Sequence, residues 1–123
     1  MYKVILYEDQ NGNSIIKDQL DELKEKSLSS KDARIQFNSI TFHIYLLQEN
    51  GTWMSSLYTK HIDGDIRELR PGGNRILYYY FKDDTYVLLH MFRKTTQKTP
   101  ASEIEKAKKE ATDYTMRNGG AMK

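Results

Sequence analysis

Cysteine is absent from the 123 residues. That excludes disulfides, thiolate metal sites and thiol nucleophiles, and it makes the reducing cytoplasm the expected setting. Long apolar runs are missing too. Nothing approaches the roughly 20 residues that a membrane helix needs, and the start, MYKVILYEDQNGNS, has no basic region ahead of an apolar stretch as a signal peptide would. A soluble protein with no membrane partner is expected. Repeats and low-complexity tracts do not occur and proline appears only twice, so no linker divides the chain. One domain is expected over residues 1–118, with 119–123 a disordered tail. Strong net charge is the last absence. Nineteen basic and seventeen acidic residues leave +2, too little to announce a nucleic-acid binder from the total.

The charge that is present is unevenly placed. IIKDQLDELKEK mixes both signs as a solvated helix face does. Between Lys60 and Lys98, however, the basic residues Lys60, Arg67, Arg70, Arg75, Lys82, Arg93, Lys94 and Lys98 face only five acids, and Asp83 and Asp84 sit in a turn away from most of them. No acid occurs between Thr85 and Ser102, where the apolar run YVLLHMF leads straight into Arg93, Lys94 and Lys98.

Hydrophobic periodicity places these cations. YKVILYE reads as a strand and DQNGN as a turn. Ser14 caps a first helix with Ile16, Leu20 and Leu23 on one stripe; Ser29 or Ser30 caps a second with Ala33, Phe37, Ile40, Ile44 and Leu47, ended by Gly51. The period then becomes strand-like: LYTKHI and DIRELR flank Asp63-Gly64, PGGN precedes RILYYYF, and Asp83-Asp84 precedes TYVLLHMF. Four strands in an antiparallel meander follow, then a helix after Pro100 with Ile104, Ala107, Ala111 and Tyr114 on one face. The fold class is α+β: a curved antiparallel sheet, two N-terminal helices packed on it, and a C-terminal helix, with the helices covering one face.

Strand alternation groups the side chains. Ile66, Glu68 and Arg70 share one face, with Arg67 and Leu69 opposite; Arg75, Leu77 and Tyr79 alternate with Ile76, Tyr78 and Tyr80. Arg70 and Arg75 flank one turn, and Arg93 and Lys94 leave the next strand near it, so four cations are expected at one edge of the sheet. Such a cluster suits phosphate, Arg as a bidentate fork and Lys as a point charge. With RNA the nucleophile, the 2′-hydroxyl, already belongs to the substrate. Solvated rim is the plainer explanation of such cations, as sheet packing is of Tyr78, Tyr79 and Tyr80. His43 lies mid-helix with no His or carboxylate at i+4, His61 lies in a strand, and cysteine is absent, so no metal is expected; nothing like a Walker loop or a dinucleotide fingerprint follows PGGN, so no other cofactor is expected either. Glu68 either neutralises Arg67 or Arg70 or acts as a base, and His90 is the second candidate base.

KHIDGDIRELR, NRILYYYF and LLHMFRKTTQKTPASEIEKAKK, in this order, resemble the RelE/ParE toxin superfamily in its HigB-like, phage-derived branch. The resemblance spans Lys60 to about Lys109. It implies a RelE-like fold and the toxin of a type II toxin–antitoxin pair, a ribosome-dependent mRNA endoribonuclease that needs no metal and leaves 2′,3′-cyclic phosphate and 5′-hydroxyl ends. It implies as partners mRNA, the ribosome and a HigA-like helix-turn-helix antitoxin in a hetero-oligomer. By motif position Arg75 would grip the scissile phosphate, Arg93 and Lys94 would stabilise the transition state or leaving group, Arg70 would bind phosphate, and Lys60 and Lys98 would hold RNA. Arg67 and His90 complete the expected RNA-binding set, and Glu68 the catalytic one. A lysine pair that serves some relatives is replaced in DIRELR by Ile66 and Glu68, which leaves the base open. Two other functions fit the fold: a gyrase-directed toxin without nuclease activity, and a non-catalytic nucleic-acid-binding module.

Overall fold

Two serines set where the helices begin. In the computed structural model, which describes residues 1–119, the Ser14 hydroxyl accepts the Lys17 amide at 3.2 Å and the Ser30 hydroxyl the Ala33 amide at 3.1 Å. Each thereby satisfies an amide that the first helical turn leaves unpaired. The helices are α1 (Ile15–Lys26) and α2 (Lys31–Asn50), preceded by the strand β1 (Lys3–Leu6). Gly51 ends α2 at φ 59°, where an added Cβ would lie 2.8 Å from the Tyr2 ring, so both conformation and space select glycine. The strands β2 (Thr59–Asp63), β3 (Ile66–Leu69), β4 (Asn74–Lys82) and β5 (Thr85–Arg93) follow, and α3 (Ala101–Arg117) begins after Pro100.

β2 to β5 form the expected antiparallel meander, and two helices pack on the sheet as expected. Two features differ. The sheet is mixed, in the order β1-β5-β4-β3-β2, because β1 lies parallel to β5 with Lys3 opposite Thr85 and Leu6 opposite Leu88. The helices also divide between the faces. Ile16, Ile40 and Leu47 of α1 and α2 pack against Leu69, Ile76, Tyr78 and Leu88; Ala107 of α3 packs on the other face against Ile66, Leu77, Val87 and Leu89. β4 and β5 are therefore covered on both sides, which is why they read as nearly continuous apolar runs. Each fully buried Leu, Ile or Val stabilises by roughly 1.5–3 kcal/mol relative to an exposed one.

A bulge in β5 sets the phase that matters for the site. Leu77 pairs with His90 and Tyr78 with Leu88, so Leu89 has no partner across the ladder. Leu89 and His90 both turn toward α3, and His90 and Phe92 end on one face with Met91 and Arg93 on the other. Of the expected tail, 119–123, only Gly119 lies within the described residues.

Candidate functional site

The α3 face of the sheet changes character toward the PGGN turn. Register places Lys60, Glu68, Leu77 and His90 in one row across β2 to β5. One step nearer the turn, Arg70 and Arg75 follow on the same face, with Arg75 opposite Phe92. Glu68 is 4% exposed and Arg75 8%. Two charges are thus nearly removed from water, which a fold tolerates only when they compensate each other.

The compensation is specific. Glu68 Oε2 lies 3.5 Å from Arg70 Nε and 3.8 Å from Arg75 Nε, and its other oxygen, Oε1, accepts from the Thr99 hydroxyl at 2.9 Å. Arg75 Nη1 donates to the carbonyls of Gly72 and Asn74, both at 2.8 Å; Arg70 Nη1 donates to the Ser56 carbonyl at 3.0 Å. Each guanidinium is held by its Nε and Nη1 groups, and the Nη2 group of each has no hydrogen-bond partner among the described residues. Burial lowers the Arg75 pKa, the Glu68 charge raises it and the Arg70 charge lowers it again. An arginine that starts so far above neutrality remains a cation.

Beside this pair lies a groove of about 300 Å³ lined by Lys60, His61, Glu68, Arg70, Lys98 and Thr99 among others. The segment after β5 forms one wall. There Thr96 bonds the Lys98 carbonyl at 2.6 Å, and Pro100, fixed and extended, starts α3. The groove carries three cations and one buried carboxylate, which also pairs with Arg75. That composition suits a phosphodiester.

Of the residues expected in the site, Arg70, Arg75, Glu68, Lys60 and Lys98 are brought together. Arg93 is not with them. It ends β5 on the opposite face, where Nη1 donates to Gln36 of α2 at 3.1 Å and the guanidinium lies against Gly73. The expected gathering of four cations at one edge is therefore split between two faces, because neighbouring residues of a strand point to opposite sides. Lys94 is half-buried and its amide donates to the Gly73 carbonyl at 2.8 Å. Arg67 also faces away from Glu68, towards the Tyr78 hydroxyl, with a buried Nε that has no partner among the described residues.

His90 is 3% exposed and lies between two α3 carboxylates, Nδ1 2.6 Å from Glu110 and Nε2 2.8 Å from Glu103. That arrangement ties a helix to a strand and leaves the ring no open edge for RNA. The sequence reading missed Thr99, Ser56, Glu103 and Glu110. Thr99 stood inside the KTP motif, and Glu103 and Glu110 are seven residues apart on one helix face, a spacing that would present both to a strand beneath. Ser56 acts through its carbonyl, which no side-chain pattern reveals. Among the described residues no group of three His, Asp or Glu is placed to hold a metal.

A family model described as phage derived protein Gp49-like (DUF891) matches residues 20–112. Among matching solved structures, the solution structure of the conserved hypothetical protein HP0894 from Helicobacter pylori covers 76% of this chain and 94% of its own, at 16% identity and a TM-score of 0.40. No curated protein matches the chain.

Proposed function

The chain belongs to the phage-derived Gp49-like family, a RelE/HigB-type toxin–antitoxin group, and from that premise we propose that it is a HigB-like toxin that cleaves mRNA without a metal, on the translating ribosome. The observation that supports this most is the Glu68-centred arginine pair: two guanidinium groups fixed by three carbonyls and a buried carboxylate, each keeping an Nη2 group unspent. Such preorganised donors favour a phosphate that gains negative charge, because no reorganisation is needed as the charge develops.

The reaction uses the substrate's own nucleophile. The 2′-oxygen, losing its proton, bonds to phosphorus; the P–O5′ bond breaks, and the leaving oxygen takes a proton. The ends are a 2′,3′-cyclic phosphate and a 5′-hydroxyl. Arg75 and Arg70 neutralise the phosphate oxygens, while Lys60 and Lys98 hold the flanking backbone along the groove. Lys94, beside the Gly73 turn, joins the phosphate set; Arg93, tied to Gln36, serves the rim. Both oxygens of Glu68 are engaged, so it positions the arginines rather than taking the 2′-proton. An antitoxin, of the helix-turn-helix kind, is the silencing partner.

End-group analysis tests this reading. A message cut during cell-free translation is expected to carry a 2′,3′-cyclic phosphate, and its 3′ fragment an end that a kinase labels without prior dephosphorylation. Intact message with blocked DNA supercoiling would replace the nuclease with a gyrase-directed toxin.

A further inference from the structure

One stretch of the surface is almost without charge. From Ile35 to Thr59 the only formal charge is Glu49, in a chain of which 29% is charged. Part of that stretch is core, since Ile40, His43 and Leu47 are buried. The outer face of α2 is not. Ile35, Asn38, Phe42 and Tyr45 recur at three-, four- and three-residue steps, cover about 15 Å of helix, and are all exposed. A solvated helix face ordinarily carries charged residues there, as the Lys17–Asp21 and Lys26–Glu22 pairs of α1 do.

The segment after α2 extends the same surface. Trp53, the chain's single tryptophan, is 87% exposed and Leu57 76%. Tyr58, next to Leu57 in the chain, sets its ring edge-on to Phe42 and to His43, which folds the segment back along the helix. Contiguous exposed apolar side chains of this kind mark interaction sites. Tryptophan, tyrosine and phenylalanine, with charge depleted around them, are the composition of the buried centre of a protein–protein interface.

Charge decides the kind of occupant. An RNA or an anionic membrane needs cations, and this face offers none between Arg34 and Lys60. It complements an uncharged, apolar protein surface. We propose that Phe42, Tyr45, Trp53 and Leu57 form the docking surface for the antitoxin, which lays an apolar helix or strand along α2 and the 53–58 segment. This rests on the toxin–antitoxin reading for the existence of a partner, and not on the nuclease chemistry. α2 packs on the sheet face opposite to Glu68 and Arg75, while the 53–58 segment runs to the edge of the cationic groove, where its Ser56 carbonyl accepts from Arg70.

The test titrates the purified antitoxin encoded with the chain against wild type and a Phe42→Ser/Tyr45→Ser variant, followed by calorimetry and by Trp53 emission. Both substituted side chains are substantially exposed, and an unchanged circular dichroism spectrum verifies the fold. The expected result is a blue-shifted Trp53 that acrylamide no longer quenches in the complex, with affinity lower by at least about tenfold in the variant, as loss of central apolar anchors causes. Cleavage by the free variant is expected to stay at the wild-type rate, so a failure here is distinguishable from a failure of the nuclease reading. Full affinity in the folded variant, with Trp53 still quenchable in the complex, would overturn the proposal. A chain that dimerises alone with Trp53 already shielded would also overturn it, by giving the surface to a second copy.

Discussion

Glu68 is the residue on which the site turns. It is buried, it faces two arginines, and Thr99 holds its remaining oxygen. Replacing it by Gln keeps the shape and the Thr99 contact but leaves Arg75 buried without its countercharge. Breaking a buried pair from one side costs roughly 3–5 kcal/mol; for Glu68→Gln, which can still accept a hydrogen bond, a loss of about 2–4 kcal/mol is expected in urea unfolding. Cleavage by the folded fraction should fall through kcat, since the arginines lose their aim. Unaltered stability would mean that the carboxylate carries little of the pairing. Glu68 and Arg75 could be named from sequence because the ELR and NRILYYY segments alternate regularly up to the PGGN turn. The carbonyl of Ser56 and the hydroxyl of Thr99 could not, since both come from irregular segments that only tertiary packing brings near.

At the scale of elements, α3 is held to the sheet by apolar contact around Ala107 and by the Glu103–His90–Glu110 bridge. A ring nitrogen bonds a carboxylate oxygen only by donating, so the two contacts need two hydrogens on the imidazole or one on a carboxyl group. His90→Ala removes the ring and leaves two half-buried carboxylates facing each other. A loss of about 3–5 kcal/mol is expected in urea unfolding, largely restored by adding Glu103→Gln and Glu110→Gln. Failure of that rescue would assign the loss to the cavity alone. The helices, their caps and the four-strand meander were legible because each is written in local periodicity and turn residues. The pairing of β1 with β5 was not, since a four-residue strand carries no mark of its partner or direction. The β5 bulge was equally hidden: unbroken alternation would put Leu88 on the face of His90, whereas one unpaired residue sends it to the other core.

The whole molecule is rich in buried tyrosine, and that gives its stability a pH signature. Burial, and then the Asp113 carboxylate that accepts the Tyr7 hydroxyl at 2.6 Å, push Tyr7 up to about 12. Burial also raises Tyr78, Tyr79 and Tyr86 above the ordinary value of 10.0. A phenol raised in the folded state favours folding fully below its unfolded pKa, and that contribution is lost as pH rises through the folded value. The melting temperature is therefore expected to hold up to about pH 9.5 and fall steeply between pH 10 and 12. Tyr7→Phe should lower the melting temperature at neutral pH and flatten the alkaline fall. An unchanged alkaline profile in Tyr7→Phe would remove Tyr7 from that signature.

The molecule presents two separate surfaces, a cationic groove under α3 and an apolar face along α2 whose one charge is Glu49. The nuclease assigned to the first is tested most directly by primer extension on a reporter message in cell-free translation, comparing wild type with Arg75→Ala that has been checked for native circular dichroism. Cuts with wild type on translated message, and none with folded Arg75→Ala, are expected. Equal cutting by the two proteins would contradict the central place given to the Glu68–Arg75 pair.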